Sequence, residues 1–140
     1  MSTARCACGA LTLLMREPAK LVAACHCLAC QRRTGTPFSV NAFYAIDSVV
    51  ISGAATKFTR IAESGRNVRM YFCPHCGSTV YWNADAAPTM IGVGVGALGD
   101  PDFPGPTLSI FERTKHRWVN LAQEVTGFQE SLDQDYAPDP

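Results

Sequence analysis

Short apolar and β-branched runs, separated by turn residues, recur along most of the chain. Each run is only four to six residues long, and Gly and Pro lie between many of them. Such runs are typical of strands, because a helix of ordinary length needs a longer stretch with a period of 3.6 residues. The predicted strands are residues 10–14, 21–24, 38–43, 49–52, 57–61, 68–72, 79–83, 90–95 and 107–111.

One short helix is predicted over residues 28–34. Good helix formers follow Cys27, and Gly35 is a residue typical of a helix C-terminus. Residues 101–106 are predicted to be a loop, because they include three prolines, which lack the backbone donor that a sheet needs. Together these features predict a mainly β, antiparallel fold with one short helix.

Length and composition predict one domain followed by an acidic tail. A chain of 140 residues can bury one core, and 47% hydrophobic with 17% charged residues is typical of globular proteins. The predicted domain is residues 1–129. Residues 130–140 are acidic and contain proline, so we expect them to fray.

The sequence favours a cytoplasmic protein. No apolar run approaches the roughly 20 residues that cross a bilayer, and the N-terminus lacks the features of a secretory signal. The formal net charge is zero, and no sustained basic stripe favours nucleic acid. We therefore expect neither a membrane nor a nucleic-acid partner, and the sequence leaves the oligomeric state open.

Four of the seven cysteines are predicted to form one closed metal site. Cys6 and Cys8 form a C-x-C pair, and Cys73 and Cys76 form a C-x-x-C turn that Gly77 follows. Four thiolates fill a tetrahedral zinc, so such a site stabilises folding without doing chemistry. Two alternatives stay open: Cys6 and Cys8 as ordinary core residues, and disulfides, which need an oxidising compartment.

The other three cysteines are predicted to form an open metal site. Cys25, Cys27 and Cys30 lie within six residues, so water, substrate or a non-cysteine side chain would take the fourth position. Three protein ligands with one exchangeable position are typical of catalytic zinc. A redox pair at Cys27 and Cys30, or a structural zinc closed by His26 or His75, is the alternative. We interpret His26 as a strand-end residue or as a partner of a ligand.

The spacing of these motifs resembles the glutathione-dependent formaldehyde-activating family. The matching stretches are C-x-C-G from Cys6, C-H-C-x-x-C-Q-R-R-T-G-T-P-F from Cys25 and F-C-P-H-C-G-S from Phe72, with K-H-R-W-V at residues 115–119. This family shares its domain with a centromere protein. The resemblance implies an Mss4-like zinc-binding β fold with two zinc ions per chain. The first zinc that it implies organises the fold, and its ligands are Cys6, Cys8, Cys73 and Cys76. The second zinc serves activity, and its ligands are Cys25, Cys27 and Cys30.

The activity that the resemblance implies is that of a carbon–sulfur lyase. Such an enzyme forms or cleaves the adduct of glutathione and formaldehyde, with glutathione as co-substrate. Arg32 or Arg33 is expected to bind a glutathione carboxylate through paired hydrogen bonds, although both residues could simply solubilise the helix. The alternatives are a non-catalytic zinc-binding module for a small thiol or a protein partner, and a thiol redox sensor that releases zinc.

Overall fold

Strands make up most of the regular structure of residues 1–131, which are the residues that this computed structural model describes. The mainly β prediction and the single short α-helix are confirmed for that part of the chain. Short 3-10 turns occupy Ile46–Ser48, Val95–Leu98 and Glu112–Thr114. In chain order the elements are β1 (Ser2–Arg5), β2 (Thr12–Met15), β3 (Leu21–Cys25), α1 (Leu28–Thr34), β4 (Ser39–Ala45), β5 (Val49–Ser52), β6 (Thr56–Ile61), β7 (Asn67–Phe72), β8 (Thr79–Ala84), β9 (Met90–Gly94), β10 (Leu108–Ile110) and β11 (Thr126–Gly127).

The chain divides into two units, and it passes from one unit to the other after Lys20, within β4 and after Phe103. Unit 1 comprises Met1–Lys20 and Ala42–Phe103. Unit 2 comprises Leu21–Asn41 and the chain from Pro104 onward, of which residues 104–131 are described. The predicted acidic tail lies outside the described residues from position 132 on, and the domain boundary at residue 129 stays a prediction.

Unit 1 consists of antiparallel strands. In one sheet β2 lies between β1 and β5, and in another group β6, β7, β8 and β9 follow one another in order. Alternation along β2 turns Leu13 and Met15 inward, where both are fully buried. The β7–β8 register shifts between Tyr71 and Phe72, directly before the C-x-x-C turn. This irregularity ends the pairing where the cysteines begin.

Unit 2 contains parallel pairs, which the sequence analysis did not anticipate. Strand β10 pairs in parallel with both β3 and β11, and Ile110 lies opposite Cys25. Helix α1 has its predicted bounds. The side chain of Cys27 accepts a hydrogen bond from the backbone of Cys30 at the N-terminus, and Gly35 ends the helix in a left-handed conformation.

Two other departures from the predicted strands have local causes. Strand β1 was not predicted, because only Ala4 in its S-T-A-R sequence is buried and apolar. Strand β2 begins two residues later than predicted. The backbone N–H of Cys6 donates to the carbonyl of Leu11 at 3.0 Å, so the residues between them form a turn instead of a strand.

Candidate metal centres

The structure brings the first four cysteines together in unit 1. Their sulfur atoms all lie within 4.8 Å of one another, although the two pairs of cysteines come from different segments of the unit's sequence. Cys6 and Cys73 are buried, whereas Cys8 and Cys76 are exposed. These four residues, which we call the tetrad, could therefore hold one metal ion with one side of the site facing solvent.

Each half of the tetrad has a backbone N–H that donates to sulfur and a left-handed glycine after its cysteine pair. The N–H of Leu11 donates to Sγ of Cys6 at 3.3 Å, and the N–H of His75 donates to Sγ of Cys73 at 3.4 Å. A left-handed glycine follows each pair, with φ of 76° at Gly77. Backbone donors aimed at sulfur favour thiolates over thiols, as a metal site requires.

The sulfur spacing of the tetrad fits zinc. Sulfurs bound tetrahedrally at about 2.3 Å from a zinc stand about 3.8 Å from one another. Sγ of Cys8 lies 3.6 Å from Sγ of Cys6 and 3.7 Å from Sγ of Cys73. These two distances therefore match the separation that a four-thiolate zinc site needs.

Ser78 links the two halves of the tetrad, and the sequence analysis did not identify it. Its hydroxyl accepts a hydrogen bond from the N–H of Ala7 at 3.1 Å and lies 3.3 Å from Sγ of Cys76. The hydrogen bond from Ser78 lowers the pKa of the Cys76 thiol to about 5. A serine after a C-x-x-C-G turn was the available signal.

The structure also brings together Cys25, Cys27 and Cys30, which we call the trio, within unit 2. Their sulfurs lie within 4.8 Å of one another. Cys25 ends β3, Cys27 precedes α1, and Cys30 lies in the first helical turn. Two of these side chains are buried and that of Cys27 is half-buried.

No fourth ligand joins the trio within the described part of the chain, since neither His26 nor His75 belongs to the group. The His26 ring is fully buried, and its Nε2 lies 2.8 Å from Oγ of Ser109 on β10. Burial lowers the pKa of His26, so the ring is neutral. The interpretation of His26 as a strand-end residue agrees with this geometry, and a histidine-closed zinc site is not supported.

Crowding of the three thiols separates their proton affinities. A hydrogen bond from the Cys25 thiol, followed by one from Cys27, lowers the pKa of Cys30 to about 2. The corresponding hydrogen bond with Cys27 raises the pKa of Cys25. The three thiols therefore differ in their proton affinities, and a divalent cation that binds the trio must displace the protons that they still carry.

The two arginines that follow the trio differ in their surroundings. Arg32 is exposed, whereas Arg33 is half-buried. The positive charge of Arg33 contributes to the lowered pKa of Cys30, and its Nε atom is buried without a hydrogen-bond partner among the described residues. Arg33 therefore combines a charge that acts on Cys30 with a buried donor that has no partner in the described part of the chain.

Comparison with known proteins identifies the family. The family model described as glutathione-dependent formaldehyde-activating enzyme matches residues 1–114, which is most of the chain and includes both cysteine groups. The chain belongs to this family. No protein with curated annotation matches it.

A solved structure from Rhodobacter sphaeroides is similar to this member of the formaldehyde-activating family. The two share 22% sequence identity with a TM-score of 0.54, over 71% of this chain and 91% of the other. At that identity the likeness concerns the fold alone. Among the described residues, no helix has the length and apolar character needed to cross a membrane.

Proposed function

We propose that this protein is a zinc-dependent carbon–sulfur lyase, resembling S-(hydroxymethyl)glutathione synthase, that forms or cleaves the adduct of glutathione and formaldehyde. The observation that carries this proposal is the trio: three sulfurs within 4.8 Å of one another and no fourth protein ligand among the described residues. A site of that composition leaves room for a substrate sulfur. Family membership supports the choice of glutathione and formaldehyde.

The two cysteine groups have different roles in this proposal. The tetrad holds a zinc that stabilises unit 1, because four thiolates complete the coordination of the ion. The trio holds a second zinc, which supplies an open position where a thiol loses its proton near neutral pH. Cysteines that hold metal need a reducing compartment, so the proposal places the protein in the cytoplasm.

Arg33, and not Arg32, is proposed to bind a glutathione carboxylate. Arg33 follows Cys30 by three residues, so both lie on one face of α1. Its buried Nε donor has no partner among the described residues, and a carboxylate would supply one. A hydrogen bond to a charged group contributes about 1.5–3 kcal/mol, which corresponds to roughly a 10- to 150-fold change in affinity.

Matched alanine variants test the arginine assignment. Arg33→Ala is expected to raise the KM for glutathione by about tenfold or more, while Arg32→Ala, on the same helix but exposed, leaves it unchanged. Steady-state kinetics over a glutathione series measures both. Equal effects of the two substitutions would contradict the assignment.

The proposed reaction is tested against its own spontaneous background. The rate of adduct formation from glutathione and formaldehyde is measured with zinc-loaded protein, with Cys30→Ser protein and without protein. The expected result is acceleration by the parent protein and loss of that acceleration in the variant, with the tetrad's zinc retained. A parent protein that binds glutathione without acceleration would reject the lyase and support the non-catalytic zinc-binding module.

A further inference from the structure

The side chain of Gln31 connects three segments of unit 2. Its Nε2 donates to the carbonyl of His26 at 2.8 Å and to the carbonyl of Thr114 at 3.0 Å. Carbonyl oxygens accept only, so these contacts fix which end of the amide is nitrogen. The Gln31 Oε1 atom, which must therefore accept, lies 2.9 Å from Nε2 of His116.

This arrangement determines the tautomer of His116. A carbonyl oxygen has no proton to give, so the Nε2 atom of His116 must carry one and donate it to Gln31. A neutral ring then has its lone pair at Nδ1. The ring is exposed and stands edge-on to Trp118, with the centroids 5.8 Å apart, and Trp118 itself is 68% exposed. His116 thus offers an oriented proton acceptor at the surface.

The same network is attached to the trio. The carbonyl of His26, between Cys25 and Cys27, also accepts a hydrogen bond from Oγ1 of Thr114 at 2.8 Å. Gln31 directly follows Cys30 on α1. One side chain therefore orients the imidazole and holds the backbone between two trio cysteines.

We propose that His116 is the proton-transfer residue of the thiol–aldehyde reaction and that Gln31 positions it. This inference rests on the proposed function. Adduct formation makes one carbon–sulfur bond and breaks the π bond of the carbonyl, while one proton moves from the thiol to the carbonyl oxygen. Nδ1 of His116 takes the thiol proton and returns it to the oxygen, so no other reactant is needed. Cleavage follows the reverse order. A base held by a third group is the usual arrangement for this kind of transfer.

A glutamine substitution separates proton transfer from anchoring. The side-chain amide of His116→Gln can still donate to Gln31 but cannot exchange a proton at neutral pH. We expect kcat above background to fall about 100-fold, within the range for loss of an acid–base group, with the KM for glutathione little changed. Arg117→Gln, at the exposed neighbouring position, is the matched control and keeps the parent rate.

Two further measurements do not depend on that variant. In His116→Ala, added imidazole is expected to restore part of the lost rate, which a purely structural loss would not show. Two-bond ¹H–¹⁵N NMR correlation of the zinc-loaded parent at alkaline pH is expected to place the His116 proton on Nε2. Both experiments use the full chain.

The outcomes distinguish this inference from the proposed function. A parent protein without activity defeats both. Three results with an active parent would overturn the role of His116 alone. They are an equally active His116→Gln variant, a His116→Ala variant that imidazole does not rescue, and a proton found on Nδ1.

Discussion

Substitution of Gly53 by alanine is expected to destabilise unit 1 and to lower the metal affinity of the tetrad. Gly53 follows β5 with φ of 97°. A Cβ atom there would overlap the carbonyl oxygen of Ala10, and it would lie 3.0 Å from that carbonyl carbon and 3.2 Å from Cα of Leu11. These neighbours are backbone atoms, so they cannot rotate away as a flexible side chain would.

The magnitude of the Gly53 effect can be separated into two parts. A left-handed alanine costs roughly 1–2 kcal/mol, and overpacking costs roughly 1–3 kcal/mol, so the total is about 2–5 kcal/mol. Gly65, with φ of 81° and nothing within 4 Å of its Cβ position, is the matched control. Gly65→Ala carries the backbone cost alone, so the two variants should differ by about 1–3 kcal/mol.

A Cβ atom at Gly53 would also affect the tetrad. The N–H of Leu11 donates to Sγ of Cys6, so a displaced Ala10–Leu11 backbone should loosen that ligand. Urea unfolding of zinc-loaded protein measures the stability difference, and cobalt titration, followed by thiolate-to-metal absorption, measures the affinity of the tetrad. A Gly53→Ala variant as stable as Gly65→Ala would refute the reasoning.

Other substitutions test separate parts of the structure. Cys30→Ser is expected to lower the zinc content from two ions per chain to one, as measured by atomic emission, and two retained ions would contradict its role as a ligand. Ser109→Ala removes the hydroxyl that bonds to buried His26 and should cost about 1–3 kcal/mol in chemical denaturation. A hydrogen bond from Arg69 lowers the pKa of Asp85, so this pair stabilises the fold above the unfolded pKa of the carboxyl group, and the stabilisation disappears as pH falls. In Asp85→Asn protein, Tm should therefore fall less between neutral and acid pH than in the parent. An unchanged dependence of Tm on pH would contradict a stabilising role for the Arg69–Asp85 pair.

Local signals explain which elements could be predicted from the sequence. Helix α1 has its predicted bounds because Cys27 and Gly35 mark both ends within the sequence itself. Strand β5 likewise has its predicted bounds, as an apolar run between turn residues. The division of the cysteines into groups of four and three also followed from spacing, because C-x-C and C-x-x-C pairs place sulfurs on one side of a turn.

Contacts between distant segments explain what could not be predicted. The parallel pairing of β10 with β3 leaves no mark in either short strand, and β11 is only two residues long. Likewise, Ser109 lies 83 residues from the histidine that it contacts. Gln31 follows a predicted ligand, yet its role depends on the carbonyl of Thr114, which no pattern of side chains reveals.

An alkylating reagent and a zinc chelator should attack the tetrad and the trio in opposite order. In zinc-loaded protein all ligand sulfurs are thiolates, so alkylation depends chiefly on access to them. Cys8 and Cys76 of the tetrad are exposed, whereas Cys25 and Cys30 of the trio are buried. Iodoacetamide should therefore modify the tetrad first, as measured by mass spectrometry of peptides from timed samples.

A chelator needs a vacant coordination position more than an exposed sulfur. The trio supplies three protein ligands and the tetrad supplies four, so a chelator can enter the coordination shell at the trio without first displacing a cysteine. The first zinc released to a chromophoric chelator should therefore come from the trio, and Cys30→Ser protein should lack that fast phase. If the chelator instead removed zinc from the tetrad first, the assignment of one closed and one open site would lose its support.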